Sequence, residues 1–200
     1  TVDEILAAVH NALDGCAPPP ASLQRTVDGI LRPGEAWQRV LQHAAPGSTI
    51  AVAPGTYPPL QLHASDAVRD LTLLADIHGV LTGSAPGPVV IAAGPGHTAV
   101  ELMGQHGVVL DGFTLRGGST AAVRIATSAH STIQHCTITD ATGDGVVLWR
   151  AEDTVLFNNL ITFHRGNGVS VFGSTGLRAY NNSIYGNGGI GLLLSTALRQ

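Results

Sequence analysis

Val108-Val-Leu-Asp-Gly-Phe-Thr-Leu115 returns as Ser131-Thr-Ile-Gln-His-Cys-Thr-Ile138, then as Thr154-Val-Leu-Phe-Asn-Asn-Leu-Ile161 and Leu177-Arg-Ala-Tyr-Asn-Asn-Ser-Ile184, each copy 23 residues after the last. A second track keeps the same step: Val100-Glu-Leu102, Val123-Arg-Ile125, Val146-Val-Leu148 and Val169-Ser-Val171 all read apolar, variable, apolar. Its fifth member reads as Ile190-Gly-Leu192, two residues early, which implies a shorter loop before it. Repetition at this period denotes a solenoid, whose units bury their apolar faces only against one another. Within each copy, short alternating runs are separated by Gly, Asn, Asp and Ser, the pattern of strands and tight turns, with no space for a helix.

Equivalent side chains of hydrogen-bonded strands stack about 4.8 Å apart. The inward candidates are then Val108, Ser131, Thr154 and Leu177 at the first position of the copy, Leu110, Ile133, Leu156 and Ala179 at the third, and Leu115, Ile138, Ile161 and Ile184 at the eighth. Cys136 falls in register with Phe113, Asn159 and Asn182 and reads as a small buried filler. Asn159 with Asn182, and Asn158 with Asn181, are expected to stack as structural amides that close the turns. The fold expected is an all-β solenoid, a parallel β-helix.

Val155-Leu-Phe-Asn-Asn-Leu-Ile161 with Gly166-Asn-Gly-Val-Ser-Val171, its echo at Tyr180-Asn-Asn-Ser-Ile184 with Gly186-Asn-Gly-Gly-Ile190, and the opening motif Ala45-Pro-Gly-Ser-Thr-Ile-Ala-Val-Ala-Pro-Gly-Thr-Tyr57 together resemble the right-handed parallel β-helix proteins. Pectate lyases and the chondroitinase B and alginate lyase group are members of that family. The resemblance covers roughly residues 34 to 198 and implies a right-handed β-helix whose first coil follows a capping helix. It is specific for fold and weak for activity, because one scaffold hosts lyases, hydrolases, epimerases, adhesins and inert solenoids.

Around this core, residues 1–15 space Val2, Ile5, Leu6, Val9 and Leu13 as an amphipathic helix, and Ala17-Pro-Pro-Pro20 breaks it. Cys16 has no evident partner, and residues 22–31 fit helix or strand equally. Trp37, Val40, Leu41 and Ala44 form a helical stripe suited to covering the open end of a coil, an N-terminal α-helical cap. The chain thus divides into residues 1–33, helical or irregular, and residues 34–200, a capping helix followed by six to seven coils. No second cap is visible before Thr196-Ala-Leu-Arg-Gln200, so a truncated chain, or an end-to-end or domain partner at the last coil, is expected.

Composition narrows the function. With 12% charged residues and a formal net charge of -4, the chain offers no basic surface for nucleic acid. Its apolar runs fall short of the roughly 18–20 residues that span a bilayer. All ten basic residues are Arg, which excludes Lys chemistry. No signal sequence is apparent, and a secreted, periplasmic or cell-surface location is expected only by analogy with the family.

In proteins of this resemblance the saccharide groove lies on the outer face of the second track. The outward residues there are Glu101, Arg124, Val147, Ser170 and Gly191, followed one position on by Met103, Ala126, Trp149 and Phe172, with Arg150 beside Trp149. Glu101 and Arg124 fall one strand apart, as an anchor for a uronic acid or as an ordinary surface ion pair. Trp149 and Phe172 offer flat faces for sugar rings or pack beneath a loop or another domain. The preceding loops carry Arg116, Asp140, Asp144, His164 and Arg165. Uronide elimination needs carboxylate neutralisation and a base; His164 is the candidate base, Arg165 or Arg124 the anchor, and Asp140 with Asp144 a weak calcium pair. An idle, solvent-exposed His164 is the more ordinary expectation. The family's lyases, as the resemblance implies, mostly use Lys or Arg as base, and no residue here matches such a motif. Two functions are expected: a carbohydrate-binding or polysaccharide lyase-like β-helix acting on an acidic polysaccharide, with no cofactor unless calcium, or a non-catalytic scaffold, adhesive or assembly solenoid.

Overall fold

Three parallel sheets form the walls of the solenoid in a computed structural model that describes residues 26–66 and 68–195. The expected helix over residues 1–15, Cys16 and the tail from Thr196 lie outside the described residues. The first sheet stacks, in order, Gly29–Leu31, Thr49–Val52, Thr72–Ala75, Val109–Asp111, Thr132–Gln134, Val155–Phe157 and Arg178–Tyr180. The second stacks Gly55–Tyr57, Val89–Ala93, Thr114–Gly117, Thr137–Thr139, Leu160–Thr162 and Ser183–Tyr185. The third stacks Leu60–Leu62, Val100–Met103, Ala121–Ala126, Asp144–Trp149, Val169–Phe172 and Leu192–Ser195. The chain visits the sheets in rotation, and a fourth row of bridges, Arg69 to His106, Ala129, Glu152 and Thr175, closes each coil. The result is an all-β parallel solenoid of about 7 turns.

The 23-residue step matches the hydrogen-bonded register. Val100, Val123, Val146 and Val169 are paired Cα partners in the third sheet, and all four are fully buried. Leu110, Ile133 and Leu156 line the interior from the first sheet, and Leu115, Ile138 and Ile161 from the second. In the last described coil the equivalent positions are less covered, with Leu192 and Leu194 exposed.

The period is set at the corners. Four columns of left-handed backbone recur at the same step: Gly104, Thr127, Arg150 and Gly173; Gly107, His130, Asp153 and Gly176; Gly112, His135, Asn158 and Asn181; Gly117, Asp140, Phe163 and Gly186. Gly, Asn and Asp dominate these columns because they tolerate positive φ at least cost. Asn158 and Asn181 therefore serve as exposed corner residues through their backbone, rather than as the stacked amides expected from the sequence.

Three further expectations change. The fifth member of the second track is Leu192-Leu-Leu194, not Ile190-Gly-Leu192: Leu192 pairs with Val169 and Leu194 with Val171, so the step stays at 23 and the outward residue is Leu193. The turn is held to length by Asn187 and Asn167, which accept backbone N–H groups of His164 and Ile190 one coil away. Residues 29–31, ambiguous in sequence, form a strand on Ile50, Ala51 and Val52, so the solenoid's hydrogen bonding begins before residue 34. The helix of the Trp37 stripe is only five residues, Trp37–Leu41, and in chain order it falls between the first two strands of the first sheet. Trp37 and Leu41 are buried; the Trp37 ring meets Tyr57 at 5.5 Å, and its Nε1–H donates to the Pro58 carbonyl at 3.0 Å.

Upstream of Val100 the steps are irregular, with Leu73 pairing to Leu110 and Leu62 to Leu102. The extra chain after Thr72–Ala75 is held by buried Asp76, whose carboxylate accepts the N–H groups of Val80, Leu81 and Thr82 and the Thr82 hydroxyl. A carboxylate taken from water is sustained by several such bonds.

Candidate functional site

Along the outer face of the third sheet runs a groove of about 550 Å³ lined by Gln61, Gly96, His97, Thr98, Glu101, Thr120, Arg124, Asp144, Val147, Trp149 and Phe172. The sheet positions the central residues. Gln61, Glu101, Arg124 and Val147 are successive Cα partners, and Trp149 and Phe172 are partners two residues further along. The alternation that turns Val100 and Leu102 inward turns Glu101 outward.

Arg124 Nη1–H donates to Glu101 Oε1 at 2.7 Å, and their side chains are 35% and 16% exposed. At that exposure the pair adds only about 0.2–1 kcal/mol to folding, so its interest lies in what it presents: a donor and an acceptor fixed side by side. Trp149 and Phe172 stand 6.0 Å apart with planes at 50°. Phe172 is only 7% exposed and packs with Ala121, Val147 and Leu193 on the outside of the sheet, so the ring offered to the groove is chiefly Trp149. Asp144 lines the same groove with both oxygens engaged, Oδ1 by the Asn167 N–H and Oδ2 by the Ser170 hydroxyl, each at 2.7 Å.

The structure brings together Glu101, Arg124, Trp149, Phe172 and Asp144 of the residues singled out in the sequence. Arg150 is an exposed corner residue outside the groove lining. Arg165 is exposed on the turn before the third sheet and is likewise not part of the lining. Asp140 is an exposed corner residue beside a separate depression with Gly94, Gly117 and Thr142, apart from the Asp144 groove. Among the described residues no group of three or more His, Cys, Asp or Glu could hold a metal ion.

His164 is not the exposed loop residue expected. It is 2% exposed; its Nδ1 accepts the Ala141 N–H at 3.1 Å, so Nε2 carries the proton and donates to the Ile138 carbonyl at 3.1 Å. Burial pushes its pKa below the usual His range, against the opposing pull of the Ile138 carbonyl and of Asp140 and Asp144. Asn159 makes the same two bonds, accepting the Cys136 N–H and donating to the Ile133 carbonyl, and Asn187 likewise holds the His164 N–H and the Ile161 carbonyl. His164 thus occupies an Asn-type turn position. Gly145 gives it room, since a Cβ there would lie 2.6 Å from the ring. A base with both nitrogens committed to backbone cannot reach a substrate proton. Cys136 is 1% exposed, its thiol pushed up to about 12 by burial and donating to the Gln134 carbonyl, so it is the filler expected.

Gln61, His97, Thr98 and Thr120 were not anticipated. His97 with Thr120, and Thr98 with Asp144, keep the repeat step or its double, so a signal was present; Gln61 lies beyond the irregular coils and had none.

A family model described as "Right handed beta helix region" matches residues 91–198. A solved structure named as a rhamnogalacturonan lyase is similar to this chain with a TM-score of 0.55 at 11% identity, over 86% of this chain and 63% of the other, and at that identity the likeness is one of fold. This chain therefore spans less than two thirds of that structure's length. No curated protein sequence matches it.

Proposed function

The chain belongs to the right-handed β-helix family, and on that scaffold we propose that it binds a polysaccharide along the outer face of the third sheet. The observation that carries this reading is the groove of about 550 Å³ in which an aromatic ring, Trp149, lies on the same face as the Glu101–Arg124 pair and the side chains of Gln61, Thr98 and Thr120. A pyranose has an apolar C–H face and an equatorial rim of hydroxyls, and it needs both kinds of surface at once. Successive strands repeat the surface along the solenoid axis, which suits an extended chain of sugars. Arg124 is the guanidinium of the lining, and the acidic polysaccharide expected from the sequence is one of the two classes of saccharide, acidic and neutral, to be tested there. The likeness in fold to a structure named as a lyase supports saccharide recognition, and a secreted, periplasmic or cell-surface location is proposed with it by analogy.

Within the same reading, Trp37–Leu41 acts as the cap of the first coils, supported by the burial of Trp37 and Leu41 against the core. The test of the function is calorimetric titration of neutral and acidic oligosaccharides into the wild-type chain, Trp149→Ala and Arg124→Ala. Binding weakened at least fivefold by Trp149→Ala supports the groove. Binding that both variants leave intact places the ligand elsewhere and refutes it.

A further inference from the structure

Arg124 does not face the groove alone. Glu101 already holds its guanidinium at 2.7 Å, and Asp144 sets a second carboxylate into the same lining, so that two carboxylates share the groove with one guanidinium. A uronate entering here brings a third carboxylate. It can accept from the remaining N–H groups of Arg124, yet toward Glu101 and Asp144 it sets acceptor against acceptor and like charge against like charge, in a site partly screened from water. A pair of vicinal hydroxyls meets no such conflict. Each hydroxyl both donates and accepts, so one can accept from Arg124 while its neighbour donates to Glu101, matching the donor and acceptor that the pair fixes side by side.

The rest of the lining agrees. Gln61 presents both an amide N–H and a carbonyl, Thr98 and Thr120 present hydroxyls, and Trp149 supplies a ring face. All are neutral and all suit an uncharged ring. Asp144 is not free to withdraw, because its two oxygens are fastened by Asn167 and Ser170, and Asn167 Nδ2–H donates in turn to the Ser170 hydroxyl at 3.0 Å. The negative charge is therefore a built part of the wall.

Resting on the groove reading above, we infer that the subsite formed by Glu101, Arg124 and Trp149 takes a neutral sugar ring with adjacent free hydroxyls, and that Glu101 is the residue that turns uronates away. The sequence offers Glu101 and Arg124 as an anchor for a uronic acid or as an ordinary ion pair, and the 2.7 Å contact makes them the pair.

The test is isothermal titration of neutral hexasaccharides of glucose, galactose, mannose and xylose, beside hexamers of galacturonate and mannuronate, into the wild-type chain and Glu101→Gln. Glu101→Gln keeps the side chain's shape and removes its charge, and circular dichroism checks the fold of the variant. At least one neutral hexamer is expected to bind the wild type tenfold or more tightly than either uronate, with its affinity changing less than twofold between low and high salt. In Glu101→Gln the uronates are expected to gain at least tenfold. Uronates binding the wild type as tightly as the neutral hexamers, with an affinity that falls as salt rises, overturn this inference while leaving the groove reading in place. If neither class binds, the groove reading itself fails. The salt dependence is read on wild-type protein alone, so the inference stays testable should Glu101→Gln not fold.

Discussion

Replacing His164 separates its structural role from a chemical one. His164→Ala removes the acceptor of the Ala141 N–H and one donor to the Ile138 carbonyl, at positions 1% and 0% exposed, and leaves a void where the ring stood. A buried N–H without an acceptor costs about 1–3 kcal/mol, and the lost packing adds to it, so a total of about 2–4 kcal/mol is expected. Against a domain stability on the order of 5–15 kcal/mol this is a large loss. His164→Asn should restore most of it, because Asn159, Asn182 and Asn187 make the same pattern of bonds to the coil before. The pair also predicts a pH dependence. Burial lowers the folded-state pKa of His164 below the ordinary histidine value of about 6.5, so between the two values the unfolded chain binds more protons. Stability from the neutral ring is then fully present above about pH 6.5 and is lost as pH falls through the folded-state pKa. The assay is urea denaturation of wild type, His164→Ala and His164→Asn at pH 8 and pH 5, read as the difference between wild type and His164→Asn so that the other eight histidines cancel. The wild type should lose ground to His164→Asn on acidification. If His164→Asn is as damaged as His164→Ala at pH 8, or the difference does not move with pH, the turn role assigned to His164 is wrong.

Val146→Asp places a carboxylate in a column whose four members are fully buried; a cost of about 4 kcal/mol or more is expected, seen as loss of soluble expression, and a cooperatively folded variant of wild-type stability would refute the inward register. Trp37→Ala should lower the stability measured by denaturant by about 3–5 kcal/mol and promote association in light scattering, whereas a monodisperse variant within 1 kcal/mol of wild type would show that the helix caps nothing.

The solenoid was legible because its information is local and repeated. A 23-residue step written into Val100, Val123, Val146 and Val169 already states which side chains are neighbours, and parallel strands can realise that statement in few ways. The same step places Glu101 beside Arg124 and Trp149 beside Phe172, as the strand register does. It went astray where pattern and register parted: Ile190-Gly-Leu192 matched the apolar alternation, but the chain counts its coils by corner residues and turn hydrogen bonds, which put Leu192 on Val169.

By itself, then, the sequence determined the coil, its period and which columns face inward, since these depend on residue type at fixed spacing. Only the tertiary structure decided what a polar residue does once placed. His164 looks like a loop histidine in the chain and becomes a buried turn residue, because its partners, Ala141 and Ile138, belong to the coil before it. Glu101 and Arg124 read from the chain as a uronate anchor or as an ion pair, and the structure makes them the pair, with Nη1 to Oε1 at 2.7 Å. The strand at Gly29–Leu31 and the place of Gln61 in the groove arise where the coils are irregular, and there no repeat carried the register. Burial and partnership are set by residues a full coil away, so composition and local pattern do not contain them.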